Sequence, residues 1–80
     1  MFTSLSQFYN SDIWKATRAK IIDERKDEYD IVHCEYSGVP LINGYAIIAH
    51  HKVPLTLDNV NDYSISLNPE NIMLVSHKAH

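Results

Sequence analysis

The first regular pattern along the chain is helical and begins at Ser11. In SDIWKATRAKIIDERKDE, residues recur at the spacing of one helix face, and these are Ile13, Trp14, Thr17, Ile21 and Ile22. Ser11 is a favourable N-cap residue, and Asp12 suits the positive end of the helix dipole. We therefore predict a helix from Ser11, with Trp14 as a core anchor. Phe8 and Tyr9 are expected to pack just ahead of it.

Three later segments have the β-branched, aromatic and other apolar residues that are typical of strands. They are DIVHCEY at 30–36, YAIIAHH at 45–51 and IMLVS at 72–76. The SGVPLING segment that joins the first two contains Gly38, Pro40 and Gly44, which predicts a loop or a hairpin connection. Pro54 is expected to end the second strand.

The remaining segments are polar. TLDNVNDYSISLNPEN, at 56–71, is rich in Asn and Asp and lacks periodicity, so we predict a loop. Ser76 is a good N-cap, and SHKAH is typical of a first helical turn, so we expect the chain to be cut short in its last helix. No repeat divides the sequence, and we expect one domain over 1–80. Its parts are a helical lead-in at 1–29 and a region at 30–80 that is incomplete at its C-terminus.

Composition narrows the class of protein. Hydrophobic residues make up 45% of the chain and charged residues 21%, as in an ordinary globular domain. No apolar stretch approaches the roughly 20 residues of a membrane span, and the signal-peptide pattern is missing, so we expect a cytoplasmic protein without membrane contact. The formal net charge of −3 disfavours nucleic-acid binding through bulk electrostatics, so any such binding must be local. For the basic residues of WKATRAK and ERK, a solvated mixed-charge helix face is the favoured interpretation.

The candidate chemistry lies in a pair of adjacent histidines, His50 and His51, at the end of an apolar run. Neighbouring side chains of a strand point to opposite faces, so the two imidazoles must lie in different environments. Neutral imidazole binds metals and also titrates near physiological pH, so one ring could hold a metal while the other accepts a proton. Taken singly, the pair is weak evidence, Asn71 fits a turn or cap, and His80 is a chain end.

Taken together, these residues resemble a known family. AHHKVPLT, LDNVNDYSISLN and NPENIMLVSHKAH are similar to the active-site region of HNH endonucleases, especially the small phage-type ones. In that pattern a His-His pair is followed by an Asn and then by a His nine positions later, and here 80 − 71 = 9. FYNSDIWKATRAKI also resembles the F-Y-x-S-x-x-W-x-x-x-R lead-in of the same phage proteins.

The resemblance implies an α+β fold in which an N-terminal helix is followed by a ββα-metal motif. It implies that His50 and His80 bind one divalent metal ion, which could be Mg²⁺, Mn²⁺, Ni²⁺ or Zn²⁺. His51 would be the general base that activates water, while Asn71 would orient His51 by a hydrogen bond from its backbone or side chain and pin the loop. The expected function is that of a metal-dependent DNA endonuclease or nicking enzyme.

DNA is the implied substrate, and the residues expected to contact it are Lys15, Arg18, Lys52 and Lys78. Phage members of the family frequently sit beside packaging machinery, so phage packaging proteins are implied partners and the host cytoplasm is the implied location. Many relatives bind a structural zinc through two Cys-x-x-Cys pairs, but the matching segments here are CEYS and SHKA. Because one thiolate cannot build that site, we expect no structural zinc and a buried, apolar Cys34.

Two other interpretations of the same residues stay open. One is a catalytically inactive HNH-like module that binds DNA or a protein, for which the lost cysteines, the acidic charge and the incomplete helix are the motivation. The other is a DNA-mimicking or inhibitory protein, although the acidic residues are too dispersed to favour it. His33 has no role in the motif and is expected to be a surface or strand histidine.

Overall fold

The computed structural model describes residues 1–79, and its elements combine short helices with two small sheets. The helices are α1 (Leu5–Tyr9), α2 (Asp12–Glu24) and α3 (Tyr63–Ser66). The strands are β1 (Val32–His33), β2 (Pro40–Leu41), β3 (Ile48–His51) and β4 (Ile72–Val75). Short 3₁₀ turns cover Gly44–Ala46 and Pro69–Asn71. This order of elements confirms the predicted α+β class.

The predicted helix is α2, and it is capped as expected because the Ser11 side chain accepts a hydrogen bond from the Trp14 amide at 3.2 Å. It ends at Glu24, four residues before the end of the predicted segment. Trp14 and Ile21 are buried, but Ile13 is 42% exposed, so the inward face is narrower than predicted. The sequence did not predict α1, whose five residues form ahead of α2 and bury Phe8.

Each sheet is an antiparallel pair. In the first, β1 and β2 form a hairpin of two residues each, but β2 lies inside the 37–44 segment predicted as a connection, and the second predicted strand does not pair with β1. In the second, β3 pairs with β4 so that His50 lies opposite Met73 and His51 lies opposite Ile72. Both candidate histidines therefore lie on β3, which pairs with β4 along all four of its residues.

The 56–71 segment is more ordered than the predicted loop. The Asp62 carboxylate accepts the Ser64 amide at 3.1 Å and caps α3. Asn68 accepts the Glu70 amide at 3.0 Å and caps the following 3₁₀ turn. The Asn and Asp residues that favoured a loop therefore act as helix caps, which is the other common use of these side chains.

The last segment has the predicted cap but, through Ala79, no helix. The Ser76 hydroxyl accepts the Ala79 amide at 3.1 Å, and residues 77–79 form a turn. His80, at the end of the predicted helical turn, lies outside the described residues.

One apolar cluster joins the helical lead-in to both sheets. Its buried members include Phe8, Trp14 and Ile21 from the helices and Val32, Ile72 and Leu74 from the strands. The face of β3–β4 that carries Ile72, Leu74 and His51 is buried in this cluster. None of the described helices has the length and apolar character that crossing a bilayer would require.

Candidate active site

His50 and His51 lie on opposite faces of β3, as the alternation of a strand predicts. His51 is buried, with 5% of its surface exposed, and it shares the inner face with Ile72 and Leu74. His50 is half-buried on the other face, opposite Met73. One ring is therefore held in the core while the other borders the surface.

The hydrogen bond made by His51 fixes its tautomer. Its Nε2 lies 2.9 Å from the Ser66 carbonyl oxygen. A carbonyl only accepts, so Nε2 must carry a proton and donate it. In the neutral ring the lone pair is then on Nδ1, which is buried and has no hydrogen-bond partner among the described residues. The ring thus has one nitrogen held as a donor and one left to accept a proton.

Three aromatic rings from the helical lead-in surround His51. The Trp14 ring centroid lies 5.1 Å from that of His51 with 33° between the planes, and those of Tyr9 and Phe8 lie at 6.2 and 6.3 Å. Burial lowers the pKa of His51, opposed by the bond to Ser66 and aided by the neighbouring His50. The lead-in therefore forms a wall of the site, a role that the sequence analysis gave to none of these rings.

Asn71 joins the segments that surround this histidine. Its Oδ1 accepts the Val53 amide at 2.8 Å, and its Nδ2 donates to the Ile65 carbonyl at 3.0 Å. Its own carbonyl accepts the Lys52 amide at 2.8 Å, just past the end of β3. Asn71 pins the loop, but the predicted hydrogen bond from Asn71 to His51 is not made among the described residues. The His51 ring bonds to the Ser66 carbonyl, and Asn71 bonds to the neighbouring Ile65.

His50 lies between two surface cavities. One, of about 250 Å³, has His50 and His51 in its wall together with Tyr9, Ala49, Pro54 and Leu55. The other, of about 210 Å³, is lined by Tyr36, His50, Met73, Val75 and Ala79. Within residues 1–79 no three or more His, Cys, Asp or Glu side chains form a metal-binding group. Of the predicted ligand pair the structure thus places His50, while His80 is outside the described residues.

The predicted DNA-contacting residues have different surroundings. Lys15, Lys52 and Lys78 are exposed, and Lys52 directly follows His51. Arg18 is half-buried, and its Nη2 donates to the Ile47 carbonyl at 2.9 Å and to the Gly44 carbonyl at 3.3 Å. Arg18 therefore also ties α2 to the turn before β3, a role that its spacing in the sequence did not indicate.

Cys34 is buried, as predicted, and lies where two similar turns meet. Its Sγ accepts main-chain amides of Ser37 and Ser76, each at 3.4 Å. In the second turn Ser76 accepts the Ala79 amide in the same way. The Ser37 side chain first, and then main-chain amides of Ser37, Ser76 and Tyr36, lower the pKa of the thiol to about 6, against burial, which raises it. The four positions that the family resemblance compares with a zinc site, at 34, 37, 76 and 79, therefore lie on two turns that the Ser76–Cys34 hydrogen bond joins, and they hold a single thiol.

Comparison with known proteins adds one relative. The chain is 32% identical over 75 residues to a protein of Lactococcus phage SK1 named "Probable HNH endonuclease", and the match covers 94% of this chain and 72% of that protein. Because 75 of 80 residues are aligned, the aligned part includes positions 6–75, with His50, His51 and Asn71 among them. No family model and no solved structure matches the chain.

Proposed function

Since the chain belongs to the HNH endonuclease family, we propose that it is a metal-dependent enzyme that cuts or nicks DNA with His51 as its general base. The observation that carries the proposal is the state of His51. Ser66 holds its Nε2 as a donor, and its Nδ1 is left without a partner in the described part of the chain. A binding module gains nothing from a buried imidazole with an unsatisfied nitrogen, because such a group costs free energy.

In the proposed reaction Nδ1 of His51 accepts a proton from water while the water oxygen attacks the phosphorus and the bond to the leaving 3′ oxygen breaks. The Ser66 carbonyl then stabilises the imidazolium through Nε2–H. Nδ1 is buried in this conformation, so water reaches it only when a side chain that lines the cavity of about 250 Å³ moves away. Tyr9 is the most exposed of the three aromatic rings around His51, at 41%, and we assign this movement to it.

The surroundings of His50 are compatible with its proposed role as a metal ligand. The His50 imidazole borders both cavities, and imidazole together with substrate oxygens is a donor set that several divalent ions accept. We assign the second ligand to His80, because the preceding residue Ala79 lines the same cavity as His50. A bound Mg²⁺, Mn²⁺, Ni²⁺ or Zn²⁺ would supply Lewis-acid stabilisation of the charge that develops on the phosphate.

The substrate contacts are proposed to be local. The net charge of −3 disfavours binding through bulk electrostatics, so Lys15, Arg18, Lys52 and Lys78 are assigned as individual phosphate contacts. Lys52 is the strongest of these candidates, because it is exposed and adjacent to His51. Phage packaging proteins as partners and the host cytoplasm as the location stay predictions from the family resemblance.

The test is nicking of supercoiled plasmid by the 80-residue chain with each of the four ions and with EDTA. Wild type, His51→Ala and His50→Ala are compared with His33→Ala, which removes an exposed imidazole that is bonded to Asp27. We expect ion-dependent nicking by wild type and His33→Ala, and its loss in the other two variants. Equal nicking by wild type and His51→Ala would refute the assigned base. Plasmid binding without cleavage under all four ions would instead support an inactive HNH-like module.

A further inference from the structure

The guanidinium of Arg25 holds both sides of the turn that carries Asn71. Arg25 is the C-cap residue of α2, so its main chain is fixed by bonds to Ile21 and Ile22. Its Nη1 donates to the Ile72 carbonyl at 2.6 Å, and its Nη2 donates to the Pro69 carbonyl at 2.7 Å. These two carbonyls flank Asn71 in the chain, so one planar group spans the turn.

The Glu35 carboxylate fixes the direction of this guanidinium. Its Oε2 accepts from Arg25 Nη1 at 2.7 Å and from the Leu74 amide at 2.7 Å. The Glu35 amide in turn donates to the Leu74 carbonyl at 2.8 Å, so the carboxylate is aligned with β4. The pair is only partly exposed, with 28% of the Arg25 and 35% of the Glu35 side chain accessible, so solvent competes with it less than at an open surface. We call Arg25 and Glu35 the clamp.

Hydrogen bonds lead from the clamp to the candidate base. The turn held by Arg25 carries Asn71, whose Nδ2 donates to the Ile65 carbonyl at 3.0 Å. Ser66, which follows Ile65 in the chain, supplies the carbonyl that accepts His51 Nε2–H at 2.9 Å. A shift of the turn therefore displaces the carbonyl that selects the tautomer of His51.

We propose that Arg25 is a positioning residue that holds the Asn71 turn so that the Ser66 carbonyl meets His51 Nε2. Its catalytic meaning rests on the proposed function, in which Nδ1 of His51 is the base. If the carbonyl moves away, the neutral ring is free to carry its proton on Nδ1, and that tautomer has no lone pair there to accept a proton from water. Arginine suits this role because its two nitrogens donate in a fixed plane, whereas lysine offers one compact charge that can turn between the carbonyls.

The test compares Arg25→Gln, Arg25→Lys and Glu35→Gln with Lys20→Gln, which removes one positive charge from an exposed pair on the same helix. One readout is the kcat and KM of plasmid nicking. The other is the ¹⁵N NMR signature of the His51 ring in the DNA-free protein, which distinguishes the two neutral tautomers. Thermal melts identify a temperature at which every variant is folded.

For Arg25→Gln we expect kcat to fall by about 10- to 100-fold with KM changed by no more than about 2-fold, the range seen when a group that orients an active-site ligand is lost. Its His51 signal shifts from the Nε2–H form toward a mixture of tautomers. Arg25→Lys recovers part of both properties, Glu35→Gln is intermediate, and Lys20→Gln matches wild type. An unchanged tautomer in folded Arg25→Gln, or equal effects of Arg25→Gln and Lys20→Gln, would overturn the inference.

The NMR readout separates this inference from the proposed function. If wild type does not cleave DNA but the tautomer of His51 responds to Arg25→Gln, the clamp is supported and the nuclease assignment fails. If wild type cleaves DNA and the tautomer does not respond, the nuclease assignment is supported and the clamp fails.

Discussion

Replacement of Asn71 by alanine is expected to loosen the segments that surround His51. The side chain makes its shortest bonds to the Val53 amide at 2.8 Å and the Ile65 carbonyl at 3.0 Å, and it is itself buried. Alanine removes the hydrogen-bond partner of both groups. Val53 is exposed enough for water to replace its lost acceptor, whereas Ile65 is half-buried and leaves its carbonyl without a donor.

The expected magnitude follows from these two bonds. An unsatisfied buried partner costs about 1–3 kcal/mol and a lost, re-solvated bond about 1 kcal/mol, so Asn71→Ala should destabilise the fold by about 2–4 kcal/mol. For a domain of this size each kcal/mol lowers the Tm by about 4–8 °C, which predicts a fall of about 8–32 °C. Circular dichroism melts at fixed pH measure this change directly.

Asn61 offers a matched control. Its Oδ1 accepts the Phe2 amide at 2.7 Å and its Nδ2 donates to the Phe2 carbonyl at 3.0 Å, so it makes the same two kinds of bond away from His51. Asn61→Ala should lower the Tm by less, because Asn61 is half-buried whereas Asn71 is buried, so water reaches the freed groups of Phe2 more easily. It should leave the rate of plasmid nicking per folded molecule unchanged. A Tm for Asn71→Ala equal to or above that of Asn61→Ala would refute this account of the loop.

Three further predictions concern other parts of the molecule. The His33 ring lies between two acceptors, the Asp27 carboxylate at 2.9 Å and the Gly38 carbonyl at 3.2 Å, so its protonated form is favoured. The bond to Asp27 raises the pKa of His33. Bonds from the Ile31 amide and from His33 lower the pKa of Asp27. The stabilisation by protonated His33 is complete below its ordinary pKa and is lost as pH rises through the raised value, whereas the stabilisation by ionised Asp27 is present above its ordinary pKa and is lost as pH falls through the lowered value. The Tm difference between wild type and His33→Gln should therefore be larger at about pH 5.5 than at about pH 9. A flat difference would contradict the ion pair. Tyr9→Ala should cost about 1–2 kcal/mol and Tyr9→Phe less than about 0.5 kcal/mol in urea unfolding, because Phe keeps the ring that packs against Trp14 and His51. Equal losses in the two variants would contradict this packing. Cysteines introduced at positions 37, 76 and 79 beside Cys34 should give a Zn²⁺-dependent rise in Tm beyond any seen in wild type, and no extra rise would mean that the two turns do not face each other.

Local signals made part of this fold predictable. The α2 helix follows from a Ser11 cap, an acidic first turn and a repeating face, all of which lie within a few residues of one another. β3 and β4 follow from short apolar runs in the same way. The α3 helix escaped prediction because four residues give no periodicity, and the structure ties it in place through Asn71, which lies six positions beyond Ile65.

Part of the candidate site was likewise predictable from the sequence, and part of it was not. His50, His51 and Asn71 were found through the spacing of a family pattern, and the structure places them on neighbouring strand ends. The partner of His51 was not predictable, because nothing about Ser66 marks its carbonyl as an acceptor for a ring 15 positions away. The clamp was equally hidden, since Arg25 reaches carbonyls 44 and 47 positions along the chain and only the tertiary fold brings them together.

The proposed nuclease reaction depends on Nδ1 of a buried, neutral His51, which removes the proton from the attacking water. Its most direct test is the single-turnover rate constant for plasmid nicking by wild type and by folded His51→Ala, measured with the ion that best supports wild type. Loss of a positioned general base predicts a fall of about 100-fold or more. Identical rate constants for the two proteins would contradict the claim.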